Sequence, residues 1–344
     1  MFKHFRYLIM LLIFLPIYSQ ACVYTYIGSP YTVNYGDIIV QRDTPIGSPI
    51  SSVIYGTMAK TYSCVSSGAE GSTAGIKSGV LQYALTSSGS ARIYKTNLPG
   101  VGISFGVNLN TSAGSSSWSG SGIIGIPGPI NVSPDVWALN WYTYNTNETN
   151  TYNYQPRIQF WKIGPITSGM VTGQIASFIA NENNSATGAW VREVPIYIGS
   201  GSITQVACSI STPNLTFPIG NVLASSFAST IGTVPSGAQN TQNLGLNCDA
   251  GANINVMLQG TQNPDVGTTS VLALTGQGNA DVAKGVGVQL LYNGTPLTLN
   301  NRIVLKQSAG GQETFPITAR YYQTKTSVST GKANAAATLD LTYQ

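Results

Sequence analysis

The sequence predicts an all-β protein built as two β-sandwiches in tandem. Three observations predict it. Gly, Ser, Thr and Asn are abundant while charged residues make up only 8%, and the strand-favouring Val, Ile, Thr and Tyr outnumber the residues that build helices. Short runs alternate apolar with polar residues between turn signals, and no run carries a helical period. The 344 residues exceed the usual size of one domain, so two cores are expected.

The N-terminus, "MFKHFRYLIMLLIFLPIYSQAC", places Lys3 and Arg6 before an apolar run over 7–17, with small residues at Ser19 and Ala21. This reads as a secretory signal over residues 1–21, cleaved after Ala21. The run is shorter than the ~20 residues of a spanning helix. A lipoprotein signal is the alternative, because Cys22 follows the cut, but Gln20 suits it poorly. Loss of Lys3 and Arg6 takes sixteen basic residues to fourteen against twelve acidic ones, so the net charge falls from +4 to +2. That balance offers no surface for nucleic acid. The single histidine, His4, leaves too. Ser-His-Asp and Cys-His catalysis and histidine-ligated metal sites are thereby excluded, and no catalytic residue, metal or cofactor is expected.

Four cysteines, at 22, 64, 208 and 248, fall into two separated pairs. In a secreted chain they read as disulfides, and of three connectivities the separation favours Cys22 with Cys64 and Cys208 with Cys248. Each bridge closes a loop of about 40 residues, worth about 3 to 4 kcal/mol in the chain-entropy model. The wide spacing within each pair argues against zinc.

In the first half, residues 22–199, candidate strands are "DIIVQ" (37–41), "VLQYAL" (80–85), "GISFGVNL" (102–109), "RIQFWKI" (157–163), "TGQIASFIA" (172–180) and the closing "WVREVPIYI" (190–198). "TSAGSSSWSGSG" (111–122) reads as a flexible polar loop around Trp118. A Gly-Ser stretch over 200–207 reads as a linker. The second half, 208–344, has strand candidates at "NLTFPIG" (214–220), "NINVMLQG" (253–260), "GVGVQLLYNGTPLTL" (285–299), "ETFPITARYYQ" (313–323) and "AATLDLTYQ" (336–344). Asn293-Gly294 inside the third is a hairpin signal, since a tight turn there needs positive φ.

The segments "CSISTPNLTFPIGNV", "NLGLNCDAGANINVMLQG", "KGVGVQLLYNGTPLTLN" and "FPITARYYQTKTSVSTGKANAAATLDLTYQ" closely resemble the pilin domain of chaperone-usher fimbriae, across nearly all of 203–344. "GDIIVQRDTPIGSPI" (36–50), "TYSCVSSG" (61–68) and "ARIYKTNLPGVGISF" (91–105) resemble the receptor-binding domain of two-domain tip adhesins, especially the type 3 fimbrial adhesin. The mannose pocket of the type 1 fimbrial adhesin has no counterpart here. The resemblance implies a lectin-like, jelly-roll sandwich followed by an immunoglobulin-like sandwich that lacks its last strand. It implies a groove bordered by Leu215, Phe217, Ala337, Leu339, Leu341 and Tyr343. A periplasmic chaperone fills such a groove first, and after passage to the outer-membrane usher the N-terminal extension of the next fimbrial subunit replaces it. Cys208 is preceded by a whole domain and Cys22 by a cleavage site, so the chain is expected to accept a strand and offer none, at the end of a fibre.

Receptor contacts are sought in "WALNWYTYNTNETNTYNYQPRIQFW" (137–161), where Trp141, Tyr142, Tyr144, Tyr152 and Tyr154 interleave with Asn145 and Asn147. Aromatic faces stack on sugars and amides bond their hydroxyls, whereas the bland reading makes half these aromatics core and the Asn residues turn formers. "NET" at Asn147 and "NGT" at Asn293 match the glycosylation sequon and read as turns. Asp37, Asp43, Asp135 and Glu148 read as surface charges rather than a carboxylate pair. The expected function is a fimbrial tip adhesin for a host glycan or matrix protein. The alternative is a minor structural or assembly-initiating subunit, and a two-carboxylate glycosidase comes a distant third.

Overall fold

Period-two burial organises the first half. The computed structural model describes residues 25–343 apart from 67–69, 79–80, 114–115, 126–134, 144–146, 148 and 182–191. In the strand Thr149–Lys162 every second side chain from Asn150 to Lys162 is buried and every other one reaches solvent at least in part, as a strand with one face on a core requires. It lies in an eight-stranded sheet between Val101–Ala113 and Ala59–Val65, antiparallel to both. A second, five-stranded sheet runs Val136–Thr143, Glu70–Lys77, Gly173–Asn181, Arg192–Ile198, Tyr31–Val33, its last pair parallel. Aromatic residues join the two sheets. The Tyr154 ring sits 5.6 Å from Tyr62 and 4.6 Å from Phe178. Both tyrosine hydroxyls cross the core, Tyr62 donating to the Phe178 carbonyl at 3.3 Å and Tyr154 to that of Ile179 at 2.8 Å. Buried tyrosines need such partners.

The stretch 111–122 is not a loop. Ser116–Ile123 is a strand antiparallel to Val101–Ala113, with Trp118 opposite Thr111. Its small residues answer a packing demand: a Cβ on Gly122 would lie 1.8 Å from the Trp137 ring of the opposite sheet. The candidate strand at 80–85 shrinks to Tyr83–Thr86, and that at 190–198 begins at Arg192 as described.

In the second half, a five-stranded sheet ordered Cys208–Ile210, Gln239–Cys248, Gly311–Gln323, Val286–Tyr292, Thr295–Pro296 packs on a three-stranded one ordered Arg302–Gln307, Asn253–Gln259, Thr338–Tyr343. Asn293 and Gly294 have φ of 48° and 77° and turn the expected hairpin. Cys208 and Cys248 stand opposite one another on neighbouring strands and form a disulfide. Cys64 is also disulfide-bonded, and Cys22, its expected partner, lies outside the described residues.

The stretch 200–207 is built rather than loose. Gly201–Val206 forms a parallel ladder with Gly36–Gln41, and it feeds Ile203 into the first core and Val206 into the second. The three residues around the end of that ladder then reach the second half. Gln41 donates from Nε2 to the Gly251 carbonyl and accepts at Oε1 from the Asn253 amide, both at 2.8 Å. The Arg42 amide donates to the Val206 carbonyl at 3.0 Å. Asp43 meets Tyr343 through main-chain groups, at 3.1 Å from the Asp43 amide to the Tyr343 carbonyl.

Burial works against the Asp43 charge, but hydrogen bonds from Arg42 and the Tyr343 amide, with the charges of Arg42 and Lys162, outweigh it and hold the carboxyl below its ordinary value of 3.8. A carboxyl depressed by folding stabilises the native state above its unfolded pKa and loses that contribution as the pH falls through the folded pKa. Melting temperature should therefore drop more steeply below pH 3.8 in the native chain than in Asp43→Asn. Identical acid limbs in the two chains would show that the carboxylate contributes nothing at this junction.

Candidate functional site

Along one side of the second half the two sheets do not close. A groove of ≈ 940 Å³ opens between residues 215–222 and 328–337, with Val288, Leu290, Ala319 and Tyr321 of the five-stranded sheet in its floor. The first wall is the candidate strand 214–220, which alternates as a strand does: Leu215, Phe217 and Ile219 are half-buried, while Thr216, Pro218 and Gly220 are exposed. It is nevertheless no strand, because among the described residues no neighbouring segment pairs with it. It is tied down just ahead of 214, where the Ser211 amide donates to the Gly245 carbonyl at 2.9 Å and the Gly245 amide to Thr212 Oγ1 at 2.7 Å.

The second wall is paired on one edge only. Lys332 donates its amide to Asp281 and accepts from Ala283, and the Asn334 carbonyl accepts from the Thr275 amide at 2.7 Å. Further along, Thr338–Tyr343 is antiparallel to Asn253–Gln259. In an extended chain the backbone groups of successive residues point to opposite edges. Residues 332 and 334 face their neighbours, and Tyr343 turns its N–H and C=O away from Asn253–Gln259 towards Asp43. The odd-numbered set, Ala333, Ala335, Ala337, Leu339 and Leu341, thus presents its N–H and C=O groups to the open side. An apolar trough beside a row of unpaired backbone groups accepts one kind of object, an extended strand with alternate apolar side chains.

Of the residues named from the sequence, Leu215, Phe217 and Ala337 line this groove. Leu339, Leu341 and Tyr343 do not. Leu339 and Leu341 pack half-buried on the second core, and Tyr343 is 1% exposed with its hydroxyl 3.3 Å from the Cys208 carbonyl. Their contribution is the backbone edge that continues the wall. Ile219, Ala333 and Ala335, which the sequence reading did not name, join the lining; the every-second-residue spacing of "FPIG" and "KANAA" is the signal that could have found them.

The aromatic cluster of the first half separates. Tyr152 and Tyr154 are fully buried between the sheets, so they are core residues and not receptor contacts; the period that exposes Asn153 turns them inward. Asn147 is exposed in a turn with φ of 61°, its amide bonded to the Ser66 carbonyl at 2.8 Å. Trp141 and Tyr142 stand on Val136–Thr143 opposite Ser72 and Gly71; their side chains, and Tyr144, Asn145 and Glu148 entirely, lie outside the described residues. Asp135 is committed to Arg92 and accepts from the Tyr94 hydroxyl at 2.7 Å. The Asn147 turn adjoins one end of Thr149–Lys162, while Lys162 at the other end donates Nζ to the Arg42 carbonyl at the junction. Fourteen strand residues at about 3.3 Å each separate the two by roughly 45 Å.

A family model described as fimbrial protein matches residues 199–344. A "Fimbria adhesin protein" of Klebsiella pneumoniae is 24% identical over 329 residues, covering 92% of each chain. A "Fimbrial subunit type 1" of Salmonella typhimurium is 31% identical over 150 residues, covering 42% of this chain and 80% of that one. The solved structure of a Burkholderia pseudomallei antigen and type I fimbria protein is 27% identical, covers 52% of this chain and 100% of its own, and superposes with a TM-score of 0.30.

If 214–222 is a groove wall rather than core, truncating it is cheap. Phe217→Ala should cost about 1 kcal/mol, as for a half-exposed side chain, and should weaken binding of an environment-sensitive apolar dye. Loss of the folded second half on this substitution would mean the segment is core.

Proposed function

The chain belongs to the fimbrial protein family, and from that premise we propose that it is a fimbrial tip adhesin, held in the fibre by its second half and binding a host surface with its first. The observation that carries this reading is the groove with an unpaired edge, coupled to a complete sandwich placed ahead of it. A sandwich with an open apolar trough is an aggregation hazard until another chain supplies the missing strand. A periplasmic chaperone does so first in this reading, and after delivery to the outer-membrane usher the extension of the next fimbrial subunit takes over.

The position in the fibre follows from what lies directly before Cys208. A subunit that donates a strand needs a free extension there. In this chain Gly201–Val206 is paired along one edge with Gly36–Gln41, and on the other Ile203 exchanges backbone hydrogen bonds with Gly169, so that segment is held within the chain and is not a free extension. The second half accepts, and the first half faces outward from the fibre on the cell surface.

Receptor binding is assigned to the end of the first sandwich remote from the junction, around the exposed Asn147, Val65 and Thr149. Trp141, Tyr142, Tyr144 and Asn145 adjoin that turn in sequence. Amide and aromatic side chains there suit a glycan or a matrix protein. The full chain displayed on beads should be retained on a glycan or matrix-protein array. Asn147→Gly, which keeps the positive φ of the turn, combined with Thr149→Ser should lower retention at least several-fold with little change in melting temperature. A folded chain that binds neither class of ligand would remove the adhesin reading and leave a structural, assembly-initiating subunit.

A further inference from the structure

The open edge stops short of the last strand's end. Asp43 takes both backbone groups of Tyr343: its amide donates to the Tyr343 carbonyl at 3.1 Å, and its Oδ2 accepts from the Tyr343 amide at 3.0 Å. That reciprocal pair imitates one rung of a ladder, supplied by a residue 300 positions away in sequence. The mimic is held firmly. Arg42 Nε bonds Asp43 Oδ1 at 2.9 Å, and its guanidinium lies 4.6 Å from the centre of the Tyr343 ring. Lys162 Nζ donates to the Arg42 carbonyl, which ties the turn to the longest strand of the first sandwich. Gln41 makes a second imitation rung with Gly251 and Asn253 on the neighbouring part of the same half.

The geometry points to Asp43 as a strand-end stop: it closes the acceptor edge at Leu341, so that a strand entering the groove pairs along Ala333 to Leu341 and ends against the Arg42–Asp43 turn. The first half thereby sets the register of whatever fills the second. A period-two strand that slips by one residue turns its apolar side chains to solvent, and a fixed end-stop forbids the slip. A partner that needs the backbone of Tyr343 has to dislodge Asp43, and with it the seating of the first sandwich. This inference rests on the reading that a foreign strand fills the groove.

The test is residue-resolved hydrogen exchange on the full chain, alone and with a synthetic peptide of alternating Val and Thr flanked by lysines. In the free chain the Tyr343 amide should exchange about tenfold more slowly than that of Leu341, the worth of one hydrogen bond. Asp43→Ala should erase the difference, while Asp43→Asn, which keeps an acceptor oxygen, should retain most of it. With peptide, Leu339 and Leu341 should become protected in all three chains, and Tyr343 should gain protection only in Asp43→Ala. A Tyr343 amide indifferent to Asp43→Ala overturns the stop, as does peptide that covers Tyr343 in the native chain and frees the Asp43 amide. Peptide that protects neither Leu339 nor Leu341 in any chain overturns the strand-acceptor reading, and the register claim falls with it; the Asp43 to Tyr343 bond in the free chain is read separately.

Discussion

Every backbone N–H and C=O withdrawn from water needs a partner, and the second half of this protein leaves one edge without enough of them. Its other features arrange themselves around that deficit. The five-stranded sheet supplies an apolar floor, 214–222 and 328–337 stand apart as walls, and the odd residues from Ala333 to Leu341 hold their backbone groups ready. The disulfide between Cys208 and Cys248 ties the chain to the five-stranded sheet shortly before the first wall begins. In the proposed function that incompleteness serves as a binding surface.

The first half meets this edge through imitation pairing. Gln41 and Asp43 each satisfy backbone groups of the second half with a side chain and, for Asp43, its own amide. The parallel ladder between Gly36–Gln41 and Gly201–Val206 carries hydrogen bonds up to that point. One continuous set of hydrogen bonds thus runs from the first core to Tyr343. Such a connection transmits position better than a Gly-Ser tether could, because shifting one half breaks several hydrogen bonds at once.

Most of the fold was legible because strands announce themselves by alternation and turns by Asn-Gly. The candidate strands at 37–41, 102–109, 157–163, 172–180, 253–260 and 313–323 all fall on strands of the structure. Four readings went astray for identifiable reasons. "NTYNYQ" alternates aromatic with amide, and alternation alone does not say which set faces the core; the partner sheet with Phe178 decided it, burying Tyr152 and Tyr154. "SSSWSGSG" has the composition of a flexible loop, yet Gly122 is where the Trp137 ring leaves no room for a Cβ. "NLTFPIG" has the pattern of a strand and lacks only a partner, which no single chain could reveal. The parallel pairing across 165 residues at 200–207 leaves no local trace either, since "SGSITQV" looks like any short connector.

The central claim is that the second half is a sandwich completed by a strand from another chain. Differential scanning calorimetry of the full chain, with and without a saturating alternating peptide, tests it most directly. The account predicts two transitions, of which only the one belonging to the second half moves to higher temperature as peptide is added, with a size that grows with peptide concentration as for ligand bound to the native state alone. Two transitions that both stay fixed at saturating peptide would contradict it, and the groove would then be a closed feature of a complete fold.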